Sequence, residues 1–436
     1  MKILNSIKYV ALLLLVLGIL LFSVITGAII EKFNLYPITT QLSLFLESTG
    51  LSKLRSQVKG SVTGADQIQE KIISSNYYDL ILKKHLRPTY EDYGGIDILN
   101  SQLFYVDKKG YGWVQNDGEF NQVITSPLDL NEESFIESFG AYSALSFGVK
   151  DILIVANSEN SASTLFVSAV NFNKDQKCYF LSIFMTEISA YSNQTTEWSN
   201  IFDSEPCLDR HTNNTFAGTS AGGRLVYGDN NIFLSTGDFY FDGVNEIDLT
   251  AAPGSHYGKI IKISLNTMGV EIFAKGLRNP QGLFLDKDGI FETEHAPQGG
   301  DELNFIGFDQ SLKDYGWPNA SFGVDYGTKI WPLDPQNKNF KAGDFVAPIM
   351  SWIPSIGISN LIRFYSDDGL SRWNGDLLIT SLRDKSIYRI KLDGMRPILI
   401  ERIEVGFRIR DLIQFNNKIY IQAAGSKDIW ELKEKT

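Results

Sequence analysis

Residues Tyr9 to Ile30 run for 22 positions without a charge (YVALLLLVLGILLFSVITGAII), with Lys2 and Lys8 before them and Glu31 and Lys32 after. A bilayer-spanning helix needs about 20 apolar residues, whereas the apolar core of a cleaved signal peptide has roughly 7–15. The run predicts an uncleaved transmembrane anchor over 9–30. The lysines ahead of it place the N-terminus in the cytoplasm and the rest of the chain outside, in a periplasmic or extracellular space. Residues 31–94 read as a stalk or lead-in. Leu42, Leu44, Leu46, Leu51 and Leu54 suggest short helical pieces, interrupted by Gly50, Gly60 and Gly64.

From about residue 95 the pattern changes to short β-type runs between turns: DILIVANS, NNIFLSTGD, DGIFETEH, NGDLLITSLRDKSIYRIKL and NNKIYIQAAGSKDIWEL. The recurring unit is an Asp, Asn or Gly turn followed by an apolar strand, starting near Asp229, Lys287, Asn374 and Asn416. Such repetition predicts an all-β propeller over 95–436, with each blade a four-stranded sheet. Common propeller repeats of roughly 40–60 residues allow six to eight blades, and periodicity does not choose among them.

Composition agrees with a folded, strand-rich chain. Hydrophobic residues are 43% and charged residues 21%, and 28 Phe, 19 Tyr and 37 Gly suit strands joined by tight turns. Residues 1–90 hold 10 Lys/Arg and 5 Asp/Glu, which leaves 30 against 46 for the remainder. So acidic a main domain argues against nucleic acid as a partner. The two cysteines, Cys178 and Cys207, show no metal-binding spacing. Outside the cytoplasm they are able to pair, but the sequence leaves pairing open. NQT at Asn193, NNT at Asn213 and NAS at Asn319 are glycosylation sequons in form.

Six motifs occur in order: GGRLVYGDNNIFLSTGD (222–238), GKIIKI (258–263), GLRNPQGL (276–283), EHAPQGGDELNFI (294–306), DYGWP (314–318) and FRIRDL (407–412). Together they resemble the soluble glucose/sorbosone dehydrogenases, quinoproteins that use pyrroloquinoline quinone (PQQ). The match is good over 215–436 and poor over 95–215. The resemblance implies a six-bladed β-propeller, here preceded by the one N-terminal transmembrane helix. It also implies an exported, PQQ- and calcium-dependent dehydrogenase acting on CH–OH groups of a sugar or other alcohol.

PQQ carries three carboxylates, and arginine suits planar, bidentate contact with a carboxylate. By motif position Arg278, Asn279, Arg408 and Arg410 correspond to cofactor contacts, and Arg383 stands where the family has a cofactor-contacting lysine. Arg408 and Arg410 lie two apart, so in a strand they share a face. The backbone carbonyls of Ala296 and Pro297 correspond to ligands of the calcium ion that polarises the quinone. Glu302 and Tyr315 correspond to a second, structural calcium site.

The sequence departs from the family at two places. Ser220 occupies the position of the general-base histidine, and a neutral hydroxyl is a very poor proton acceptor. His211 and His295 are the nearby histidines. The family's cofactor-contacting glutamine has no clear counterpart in Phe139–Phe147. A second reading of the same resemblance is therefore a non-catalytic propeller that binds a ligand or a protein partner.

Overall fold

The computed structural model describes residues 70–90, 93–156, 163–189, 197–209, 216–243, 246–297, 299–309, 311–323 and 343–435, all within one compact unit, Gln69–Thr436. The anchor segment 9–30 and His211 lie outside these residues. Among the described residues no helix is long and apolar enough to cross a membrane.

Six antiparallel sheets form the blades of a propeller. The first comprises Gly95–Leu99, Gln102–Val106, Gly112–Asn116 and Glu119–Ile124. The second comprises Gly148–Ala156, Ser163–Asn173, Cys178–Ile188 and Ser199–Asp203. The third comprises Gly222–Gly228, Asn231–Thr236, Lys259–Ser264 and Val270–Lys275, with the short Lys313–Asp314 added in parallel. The fourth is Pro280–Asp286, Gly289–Glu294, Asp301–Gly307 and Met350–Trp352. The fifth is Ile358–Arg363, Leu377–Ser381, Ser386–Asp393 and Arg396–Glu404. The sixth takes Ile409–Phe415, Lys418–Ala423 and Asp428–Glu434 from the C-terminus, and Asp79–Leu86 and Glu70–Ser74 from the other end of the described chain.

That last sheet corrects the boundary expected at residue 95. Asp79–Leu86 pairs with the C-terminal strand from Leu80↔Glu434 to Leu86↔Asp428 and closes the ring. It reads poorly as a strand because Lys83, Lys84 and His85 interrupt its alternation, although Leu80 and Leu82 are fully buried. Four blades have the expected four strands and two have five.

Blades packed face to face bury their middle strands on both sides. Such strands read as continuous apolar runs rather than alternating ones. Gly289–Glu294 and Leu377–Ser381 are buried at every position, whereas the outer strand Arg396–Glu404 alternates. The turn signals at Asp229, Lys287 and Asn416 are two-residue hairpins, whereas Asn374 lies in the longer connection from Arg363 to Leu377. Asp229 and Asn230 adopt left-handed φ of 50° and 62°, the geometry that matches the twist of the flanking strands. One helix, α1 (Glu132–Phe139), sets Phe135 and Phe139 against Phe172 and Tyr179 of the second blade. Beside it a disulfide joins Cys178 to Cys207, with Cα atoms 5.6 Å apart.

The first strand of each blade lines the axis, and each touches the first strand of the next blade around the ring. Five of these six inner strands carry a β-bulge near their start. The displaced residues are Lys150, the Gly223–Arg224 pair, Gln281, the Ser359–Asn360 pair and Arg410. A bulge re-aims side chains out of the ladder. Arg224 uses this to become the hub of the channel. Its Nη1 lies 2.7 Å from Asp151 and 2.8 Å from Asp411, and its Nε donates to Gln281 O at 3.1 Å, so one side chain from the third blade ties the second, fourth and sixth. Asn360 adds the fifth by donating to Asp411 at 2.6 Å.

Candidate active site

Because every inner strand runs the same way along the axis, residues just before or at its start gather at one mouth of the channel. The hairpin between the second and third strands of each blade returns to that mouth. Ser220, Arg278, Asn279, Arg408 and Arg410 belong to the first group. Asp238, Ala296, Pro297 and Arg383 belong to the second.

Ser220 adopts a left-handed backbone (φ 54°), as do Phe239 (φ 49°) and Tyr240 (φ 65°). Non-glycine residues held there cost on the order of 1–3 kcal/mol each and cluster at functional sites. They surround Asp238, which is fully buried. Ser220 Oγ donates to Asp238 Oδ1 at 2.7 Å, as does the Tyr240 amide at 2.9 Å, while Trp317 Nε1 donates to Oδ2 at 2.9 Å. Burial pushes the Asp238 carboxyl up to about 7. Arg278 pulls it down, and Asp242 adds to the rise. Sequence reasoning did not single out Asp238; the signal was its place at the end of the glycine-rich 222–238 motif.

The Arg278 guanidinium lies 5.6 Å from the Tyr240 ring centre and 5.4 Å from that of Trp317. Its Nη1 donates to the carbonyls of His295 at 3.0 Å and Ala296 at 3.1 Å. Asn279 Oδ1 accepts the Gly222 amide at 3.2 Å and locks the third blade to the fourth. Arg383 is exposed and donates to Ser355 O at 3.3 Å. Arg408 and Arg410 are half-buried. Arg410 stacks its guanidinium 4.9 Å from the Tyr93 ring, and its buried Nε has no hydrogen-bond partner.

Three of the four metal-ligand candidates, Ala296, Glu302 and Tyr315, are otherwise engaged. Ala296 O already accepts from a cation, Arg278. His295 Nδ1 sits 3.8 Å from Asp301 Oδ1. Burial raises Asp301, but hydrogen bonds from His295, the Ile358 amide and Ser355 outweigh it and hold the carboxyl low. Glu302 is buried beside Glu292 and Glu294, and burial pushes its carboxyl up to about 7. Asn304 Nδ2 stands at the focus of the three, 3.0 Å from Glu292 and 3.4 Å from each of the others, where a cation would have to sit. The Tyr315 hydroxyl donates to Phe305 O at 2.7 Å. Among the described residues no group of three or more His, Cys, Asp or Glu is disposed to hold a metal.

Lys150 was not foreseen. Burial, with Lys108 and Arg410 nearby, pushes its ammonium well below the ordinary lysine range. Its signal was legible: VKDIL (149–153) repeats the basic–Asp–apolar pattern of IRDLI (409–413).

The sequence model of the family described as glucose/sorbosone dehydrogenase matches residues 114–428. The chain belongs to this family. The match reaches well ahead of residue 215, into the first blade. An uncharacterised protein of Synechocystis is 30% identical over 301 residues, 60% of this chain and 70% of that protein. The aldose sugar dehydrogenase YliI of Escherichia coli is 29% identical over 239 residues, 50% of this chain and 59% of that enzyme. The quinoprotein glucose dehydrogenase B of Acinetobacter calcoaceticus is 24% identical over 247 residues, 39% of this chain and half of that protein. Among solved structures, a glucose dehydrogenase superposes with a TM-score of 0.65 at 21% identity, covering 81% of this chain and 99% of that one. The apo-form of the Escherichia coli soluble aldose sugar dehydrogenase gives 0.64 with the same identity and coverage. These likenesses establish the fold. Family membership makes the chain a sugar-oxidoreductase-like propeller.

Proposed function

We propose that the chain is a PQQ-dependent dehydrogenase of a sugar or other alcohol, exported and held to the membrane by residues 9–30. The observation that carries this reading is the gathering of Arg278, Arg383, Arg408 and Arg410 around Ser220 at one channel mouth. The fit to PQQ rests on charge. Arg410 has no carboxylate partner among the described residues and a buried orphan Nε, as expected where a carboxylate is to be received. PQQ, when bound, supplies an acceptor for the hydride of an alcohol C–H. Arg278, Arg408, Arg410 and Asn279 would hold its polar edge. A calcium ion at Ala296 and Pro297 would require the Arg278 hydrogen bond to Ala296 O to open. The atoms as arranged do not fit the ion, and no step here is routed through a metal.

The proton of the substrate hydroxyl must leave as the hydride departs. Ser220 Oγ gives its own hydrogen to Asp238, so its lone pairs can accept a hydrogen bond and orient the substrate hydroxyl. Serine cannot keep the proton, and Asp238 behind it is fully buried. Slow turnover follows. Titrating PQQ into the purified protein and following the bound-quinone absorbance, then its bleaching by sugars, tests the reading. Absence of PQQ binding would leave the non-catalytic binding propeller, the reading that Ser220 favours.

A further inference from the structure

The channel mouth carries more positive charge than the family motifs account for. Lys150 and Arg410 are the displaced residues of equivalent bulges in the inner strands of the second and sixth blades. Each is followed by an aspartate, Asp151 or Asp411, that turns inward to Arg224. Between these blades stands the first, and its Tyr93 lies under both cations. Lys150 Nζ is 4.0 Å from the ring centre and the Arg410 guanidinium 4.9 Å. Lys108, from the hairpin of the first blade, stands nearby but is neutralised by Glu132 at 2.9 Å.

Neither Lys150 nor Arg410 has an ion-pair partner among the described residues. Lys150 Nζ donates only to the Ser146 carbonyl. Two partly buried basic groups sharing one aromatic ring repel each other unless an anion joins them. The protein nevertheless builds the corner with care. A Cβ on Gly223 would collide with Lys150 Cβ, and only glycine readily takes the φ of 108° there. The corner abuts the Ser220 loop, since a Cβ on Gly218 would lie 3.6 Å from Ser146 O.

We propose that Lys150, Arg410 and Tyr93 form a carboxylate-binding corner of the channel mouth, occupied by a carboxylate of the bound cofactor or of an acidic sugar. The inference rests on the reading above for its first source but not for its second. The guanidinium offers a planar pair of donors, the ammonium a point charge, and Tyr93 a wall that keeps both aimed.

The test uses the full-length protein and Lys150→Met. Removing one of two neighbouring basic groups should leave the melting temperature unchanged or higher. PQQ affinity, read by absorbance titration, should fall about tenfold, the value of one charge-assisted hydrogen bond. Lys150→Arg, which keeps the charge, should retain it. A parallel arm measures thermal stabilisation by D-glucuronate against D-glucose. A loss confined to PQQ assigns the corner to the cofactor, and a loss confined to glucuronate assigns it to an acidic substrate. If the wild type binds no PQQ, the proposed function fails and the glucuronate arm alone decides the corner. Unchanged binding of both ligands in Lys150→Met overturns the proposal. So does an equal loss in Lys150→Arg, which would mark a packing role.

Discussion

At the scale of single residues, the chemistry turns on Ser220 and Asp238. A positioned general base contributes roughly 10²–10⁴-fold. Ser220→His should raise sugar-dependent dye reduction by that order in the presence of PQQ. Histidine tolerates the left-handed backbone at this position better than most residues. Unchanged turnover would mean that proton removal is not what limits the protein. Asp238 also predicts a pH effect on stability. Its folded carboxyl titrates at about 7 because of burial, against an ordinary value near 4, with Arg278 and Asp242 the charged groups facing it. The folded state therefore holds a proton that the unfolded chain releases. That contribution is complete below about pH 4 and is lost as pH rises through about 7. Asp238→Asn should flatten the decline in melting temperature between pH 5 and 8. The arginines of this site were legible because they sit in motifs. The Ser220–Asp238 bond was not, because 18 residues separate its partners, and Lys150 was missed because its pattern stands in a stretch with no other motif.

At the scale of elements, the sixth blade and the disulfide carry the predictions. Leu82 is fully buried in the strand that closes the ring, and Leu82→Ala should cost about 2–5 kcal/mol in urea unfolding. A chain beginning at residue 95 should fail to unfold cooperatively, because it leaves the edge of Asp428–Glu434 without its partner. Normal cooperative unfolding of that truncation would show Asp79–Leu86 to be dispensable. Cys178 and Cys207 close a loop with a sequence separation of 29, so replacing both by serine should cost about 3–4 kcal/mol in the chain-entropy picture. The middle strands were legible because burial on both faces demands continuous apolar residues. Asp79–Leu86 was hidden because the consecutive Lys83, Lys84 and His85 break the alternation that its buried Leu80 and Leu82 begin.

At the scale of the whole molecule, the blades are held to one another at the axis by Arg224. Replacing it with methionine leaves Asp151 and Asp411 buried without their cation. Loss of one partner of a buried pair costs about 3–5 kcal/mol. Unfolding of Arg224→Met should show that loss. A change below 1 kcal/mol would mean the two carboxylates protonate or find other partners. The six-bladed ring was foreseen only through resemblance, since repeat length alone allowed more blades. The hub was not, since nothing in GGR says that its arginine meets aspartates 73 residues before it and 187 after.

The closure of the ring has a consequence for biosynthesis. Strand Asp79–Leu86 is made ahead of the five complete blades, yet its partner, Asp428–Glu434, is made only after them. Contacts of such sequence separation form slowly and only after a large loss of chain entropy. Until then the nascent chain displays an unpaired edge, open to chaperones, proteases and other copies. A chain that stops before Asp428 would lack the strand that converts five stacked blades into a closed circle. The seam thus works as a check on completion of the ring: native propeller is reached only by chains that already include Asp428–Glu434.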